Sequence, residues 1–206
     1  MPRPKNQAAR RDQLKAAARR VIAARGVEAM RIKDVAEEAG MSPQSVLYYY
    51  PDLDQLIEEA IQHVVERFAE RRLETVEGID DPRAALVEMI CEGLPSGPDD
   101  EDLRITYNAA GYLRDNATLG ALIRSMTARQ VEVYRRVLDL GASKGVFTLA
   151  DSSQAIARNL VALEDAYGLY MISGGHIRDE ALAMMLSFAS IATQTDLREE
   201  ARSKGA

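Results

Sequence analysis

The stretch that most constrains this chain is residues 32–51. Ile32, Val35, Ala36 and Ala39 fall at helical spacing, and Gly40 follows, a residue suited to the left-handed conformation in which helices end. Ser42 and Pro43 come next: a side-chain cap, then the residue tolerated at a helix's first position. Val46, Leu47 and Tyr50 can face inward, and Pro51 closes the segment because the residue before proline disfavours helix. The pattern predicts two short helices joined by Gly40-Met41-Ser42, with Ala36 and Gly40 small enough for a close crossing: a helix-turn-helix. In that motif the second helix enters the DNA major groove with its N-terminal side chains at base edges. Here those are Pro43, Gln44 and Ser45 beside Ser42, with Tyr48 and Tyr49 further along. A glutamine can bond adenine in a bidentate way, and serine can donate or accept. Tyrosine hydroxyls suit phosphate oxygens. The alternative for the tyrosines is core packing, which fits Tyr50, on the face of Val46; three adjacent tyrosines cannot all face one small core.

A longer helix precedes this unit. Leu14, Ala17, Ala18, Val21 and Ile22 form one apolar stripe, and Gly26 stops it. Residues 1–33 hold ten Lys/Arg against two Asp/Glu, whereas the whole chain of 206 residues carries a net charge of -6. A basic head on an acidic body fits a DNA-binding head; a solvated basic helix is the plain alternative.

Residues 33–51, KDVAEEAGMSPQSVLYYYP, resemble the signature of the TetR family of transcriptional regulators, approximately R-D-I-A-x-x-A-G-V-S-x-G-T-L-Y-x-H-F-P, without a gap. The preceding helix, ending Ala-Ala-Arg-Gly, is also similar, so the resemblance spans roughly the first 60 residues. It implies a three-helix DNA-binding head, residues 1–52, and a helical effector-binding and dimerisation body, residues 53–206, the whole all-α. Gln44 stands where glycine is common, Leu47 where tyrosine is usual, and Tyr49 where histidine is frequent. Met30 stands where a threonine often caps the second helix and touches phosphate, and Arg31 or Lys33 is expected to supply that contact.

Leu53, Leu56, Ile57, Ala60, Ile61, Val64, Val65 and Phe68 keep helical spacing in the helix that links head to body in the family. Asp81-Pro82 opens the next helix, Pro95-Ser96-Gly97-Pro98 breaks the chain, and two further helices run from Leu103 to Asp115 and through Leu119–Leu140. Asp151–Gln154 reads as a capping box opening a helix with Ile156, Leu160, Leu163, Tyr167 and Tyr170. After Gly174-Gly175 the last helix carries Leu182, Met184, Met185, Leu186, Phe188 and Ile191. Two terminal helices this widely apolar suggest a partner surface, and the resemblance implies a homodimer through Leu160, Leu163, Tyr170, Met184, Phe188 and Ile191; burial inside one subunit is the alternative. Residues 159–169 are similar to the BetI-like subgroup.

The resemblance also implies a small-molecule effector among the middle helices. Met89, Tyr107, Tyr112, Met126, Tyr134, Glu164 and Tyr167 give an apolar lining with polar handles. Glu164 and Asp165 interrupt an apolar helix, which suits an amine or cation flanked by tyrosines; the alternatives are an ion pair with an arginine such as Arg158 or a place on the surface. No nucleotide loop, metal-ligand cluster or catalytic triad order is present, so neither an enzyme nor a cofactor is expected. The single cysteine, Cys91, is read as a packed thiol, and no apolar run approaches the ~20 residues of a membrane span, so a cytoplasmic protein is expected. The expected function is a repressor that binds a palindromic double-stranded DNA operator and is released by its effector; a ligand-independent architectural or adaptor protein is the alternative.

Overall fold

The computed structural model describes residues 4–109, 116–174, 178–199 and 201. Among them all regular structure is helical: α1 (Pro4–Arg25), α2 (Ile32–Ala39), α3 (Pro43–Tyr49), α4 (Leu53–Val76), α5 (Pro82–Gly93), α6 (Glu101–Asn108), α7 (Ala117–Ser143), α8 (Ser153–Ile172) and α9 (Arg178–Thr193). The all-α class and the helix-turn-helix are as the sequence predicts. Among the described residues no helix is long and apolar enough to cross a membrane. The chain divides into two compact units, residues 1–66 with 99–123, and residues 67–98 with 124–206. The 52/53 boundary expected from function falls inside the first unit, and α4 and α7 each contribute to both.

In the first unit the α1 stripe is buried, with Leu14, Ala17, Ala18 and Ile22 fully enclosed alongside Val35, Ala36, Val46 and Tyr50. Each large apolar side chain buried this way contributes about 1.5–3 kcal/mol. Arg31 precedes α2, and Asp34 of its first turn accepts from the Arg31 amide at 2.9 Å and from Arg25 of α1 at 2.8 Å, tying the two helices together. Gly40 ends α2 in the left-handed conformation, φ 64°, and the Met41 amide bonds back to the Ala36 carbonyl at 2.8 Å. Ser42 Oγ accepts from the Ser45 amide at 3.2 Å with Pro43 in the first turn, which starts α3. The last carbonyls of α1 are met by α6: Arg104 Nε donates to Ala23 at 3.1 Å, and Asn108 Nδ2 to Ile22 at 3.1 Å.

In the second unit Asp81 caps α5 and Ser152 caps α8. The expected capping box reduces to this one serine, because the residue bonded to its hydroxyl is Ala155, which has no side chain to return the bond. α9 packs against α8 and α5. The Thr148 and Ala150 amides donate to the carbonyls of Thr193 and Ala192 at 2.9 and 2.8 Å, closing the end of α9. Two side chains differ from expectation. Leu47 lies outside the core, since only Val46 and Tyr50, one turn apart, share the inward face of so short a helix. Cys91 is half-buried rather than enclosed.

Candidate nucleic-acid interface

The outer face of α3 gathers the residues singled out for DNA. Ser42, Pro43 and Gln44 are exposed, Ser45 and Tyr49 are half-buried, and Tyr48 is 65% exposed. The Tyr48 and Tyr49 rings stand edge to face with centroids 5.1 Å apart, so each steadies the other. A surface depression of about 620 Å³ unites Ser42, Gln44, Ser45, Tyr48 and Tyr49 with Arg10 of α1. Nothing in the helix-turn-helix pattern marks Arg10, and its one sequence signal is its place in the basic stretch that suits a polyanion partner. Leu47, 44% exposed, joins Tyr48 on the outer face as an apolar surface. Arg31 and Lys33, both exposed, sit at the start of α2 outside that depression; the Arg31 guanidinium donates to the carbonyls of Glu28 and Met30 at 2.8 and 2.9 Å. Met30 itself is a core residue.

Behind α3 a polar triad fixes its orientation. Glu59 of α4 accepts from Arg11 of α1 and from the Tyr50 hydroxyl, both at 2.7 Å. The Arg11 guanidinium lies 4.2 Å over the Tyr50 ring and also donates to the Tyr49 carbonyl at 3.2 Å, at the end of α3. Burial works to raise the Glu59 carboxyl, but the bonds from Tyr50 and Arg11 outweigh it and hold the group below its ordinary value. Burial, with Glu59 as acceptor, pushes the Tyr50 hydroxyl up, so it stays a neutral donor. Three elements thus converge on one carboxylate at the base of the face described above.

The body candidates are spread out. In the second unit Met89 and Tyr134 are fully buried, and Met126 and Tyr167 are half-buried, the Tyr167 hydroxyl lying 3.3 Å from Met184 Sδ. Tyr107 belongs to the first unit, and Tyr112 lies outside the described residues. Glu164 is buried, with one oxygen on Arg72 of α4 at 2.5 Å and the other accepting from the Tyr134 hydroxyl. Of the alternatives left by the sequence, Glu164 takes the ion pair, with Arg72 and not Arg158, and Asp165 is exposed. Burial pushes the Glu164 carboxyl up, opposed by Arg72 and by the Tyr134 bond. Burial also works against the Arg72 charge, but Glu164 and Tyr134 outweigh it and raise the pKa. Gly93 of α5 leaves room for this pair: a Cβ there would lie 1.9 Å from Glu164 Oε1 and 2.8 Å from Arg72 Nη2. Beside it a cavity of about 220 Å³ is lined by Arg72, Leu73, Arg129, Gln130, Glu132, Val133 and Arg136, none of which the sequence marks as a ligand contact. On α8 and α9, Tyr170, Met184 and Ile191 are exposed together with Leu169 and Ile172, Leu163 and Phe188 are half-buried, and Leu160 is fully buried.

Comparison with known proteins gives concordant matches. Residues 14–60 match the family model described as bacterial regulatory proteins, tetR family. The HTH-type transcriptional regulator PksA of Bacillus subtilis (strain 168) is 25% identical over 115 residues, a match spanning 55% of this chain and 56% of that relative. The matched region is thus about half the length of that protein. The fold is shared with a putative transcriptional regulator from Saccharomonospora viridis solved in complex with choline, at TM-score 0.81 and 24% identity, over 88% of this chain and 95% of that one. It is shared as well with a putative TetR-family regulator from Rhodococcus sp., at TM-score 0.76 and 22% identity, over 90% and 99% of the two chains.

Proposed function

We propose, on the strength of the tetR-family match over residues 14–60, that the chain is a DNA-binding transcriptional regulator of the TetR family, a repressor acting as a homodimer on a palindromic operator and released by a small-molecule effector. The observation that carries this reading is the outer face of α3, where Gln44, Ser45, Tyr48 and Tyr49 stand open around one depression with Arg10. Gln44 and Ser45 read base edges. Arg10, Tyr48 and Tyr49 hold phosphates and set the register, with Arg31 and Lys33 as flanking cations. The functional head is residues 1–52, and residues 53–206 carry the effector and the partner.

Dimerisation is supported by the apolar row on α8 and α9, in which Ile191 is 69% exposed and Tyr170 46%. An isologous pairing of that row gives two heads related by a two-fold axis, which a palindrome requires. Leu163, Met184 and Phe188 complete the row, and Leu160 supports it from beneath. A Tyr170→Asp, Ile191→Asp double variant is expected to sediment as a monomer; a dimer that survives these charges places the interface elsewhere.

The effector binds the body and favours a head spacing unfit for the operator, which requires it to prefer one of two states. Regulator structures of this fold include one holding choline, which supports a body able to take a small ligand. The test is an in vitro map of genomic fragments bound by the purified protein, with a Gln44→Ala, Tyr48→Ala double variant beside it. Sharp palindromic sites lost in the variant are expected. Binding without sequence preference at moderate salt is only charge attraction, and then the architectural reading replaces the repressor.

A further inference from the structure

Arg72 is buried, yet its hydrogen bonding is incomplete. Its Nη2 is held by Glu164, while among the described residues Nε and Nη1 have no hydrogen-bond partner. Buried polar groups in native proteins are nearly always satisfied, and a buried charged donor left without an acceptor is costly. The same side chain lines the 220 Å³ cavity. Arg129 and Arg136 line it too, both exposed, so the cations there outnumber the one carboxylate, Glu132. Glu132 is already engaged by Arg135 at 2.8 Å and Arg136 at 2.9 Å. Leu73 and Val133 supply apolar wall. The carboxylate that would suit a cationic ligand, Glu164, has both oxygens occupied by Arg72 and Tyr134.

We propose that this cavity is the effector site and that its ligand is a small amphipathic organic anion, a carboxylate on a short apolar body, rather than an amine. The carboxylate meets Arg129 and Arg136 at the wall, and a small turn of the Arg72 side chain brings its two unpartnered donors, closed off from the cavity in this state, to the ligand, while the apolar body lies on Leu73 and Val133. Arg129 and Arg136 offset the repulsion from Glu164 that a second anion near Arg72 meets. The cavity is smaller than the ~300–1,000 Å³ of sites for drug-sized ligands, so the ligand is small. This assignment rests on the reading of the body as effector-binding and is independent of which operator the head reads.

The test uses the full chain and three probes of one shape and different charge: hexanoate, hexanamide and hexylamine. Each is titrated in a thermal melt and in operator release. Hexanoate alone is expected to raise Tm by a few degrees at about ten times its Kd and to release the operator. Removing Arg72 by itself strands Glu164 and can prevent folding, so the variants are the charge-balanced Arg72→Gln, Glu164→Gln pair and the surface pair Arg129→Gln, Arg136→Gln. Both are expected to lose the hexanoate shift. Stabilisation by hexylamine in preference to hexanoate overturns the proposal. So does an equal response to all three, which marks an apolar hole without charge selection, and so does no response at all. Operator binding without ligand, measured on the same samples, reports separately on the regulator reading: its failure removes that reading, while the melts still decide the ligand's charge.

Discussion

The first and second units each contain an arginine, a glutamate and a tyrosine joined in the same way, and they use the trio differently. In the first, Glu59 accepts from Arg11 and Tyr50, and Arg11 stacks on the Tyr50 ring at 4.2 Å. Its ion pair is about one-third exposed, 36% for Arg11 and 30% for Glu59, so water can complete any unmet bond. In the second, Glu164 accepts from Arg72 and Tyr134, and Arg72 lies 5.5 Å from the Tyr134 ring. That ion pair is closed off, 5% and 4% exposed, and Arg72 keeps two donors unmet among the described residues. The lesson is that solvent access decides what such a trio does. With water at hand it is a fastener that orients α3; sealed and incomplete beside a cavity, it suits a ligand.

The sharpest way to break this contrast is to remove one partner from each triad. Arg72→Met is expected to cost about 3–5 kcal/mol, because it leaves Glu164 buried without a counter-charge; a thermal melt should show a fall on the order of ten degrees. Arg72→Met with Glu164→Leu is expected to recover most of that loss. If Arg72→Met melts like the unmodified chain, the buried pair is not a structural unit. Next in size is Gly93→Ala, expected to cost about 1–3 kcal/mol by overpacking, since the added methyl meets carboxylate and guanidinium held in place by each other. A neutral Gly93→Ala shows that the pair has freedom to shift.

Glu59→Gln in the first unit is expected to cost only about 1 kcal/mol, as a partly exposed pair screened by solvent. Its pH dependence has a definite sign. The Glu59 carboxyl is held below its ordinary value in the folded chain, so its stabilisation is present above the unfolded value of about 4.3 and is lost as pH falls through the folded one. The stability gap between the unmodified chain and Glu59→Gln should therefore be constant near neutrality and shrink below about pH 4. A gap that widens on acidification contradicts the depressed carboxyl. The smallest effect is expected from Ser152→Ala, about 1 kcal/mol or less, since a single capping bond at the start of α8 is lost and both triads are left untouched.

The two triads were unequally legible. The elements around the first announce themselves locally: Gly40, Ser42, Pro43 and Pro51 punctuate α2 and α3, and Tyr50 falls one turn from Val46. Leu47 faces outward against its apolar character because a seven-residue helix with only one inward face has no second turn to betray a side chain's direction. In the body the helices were readable but the cavity was not. Arg72 and Glu164 are 92 residues apart, and no local rule pairs them. One trace existed: Arg72 lies seven residues after Val65 and eleven after Ile61, on the buried stripe of α4, where a cation demands a partner. Glu164 made the matching demand from α8. Two charges on apolar stripes, taken together, imply a pair and not an open site. Arg129 and Arg136 gave no such sign, being ordinary exposed positions of a long helix.

The central claim is that two copies of this chain read one palindrome through α3. The most direct measurement is fluorescence anisotropy on a duplex taken from the genomic map, with the half-sites at native spacing or moved apart by about 5 or about 10 base pairs, half a turn or a whole turn of DNA. Two chains per duplex at native spacing are expected, with affinity collapsing at the half-turn insertion and partly returning at the full turn. One chain per duplex, or an affinity indifferent to spacing, would contradict the account.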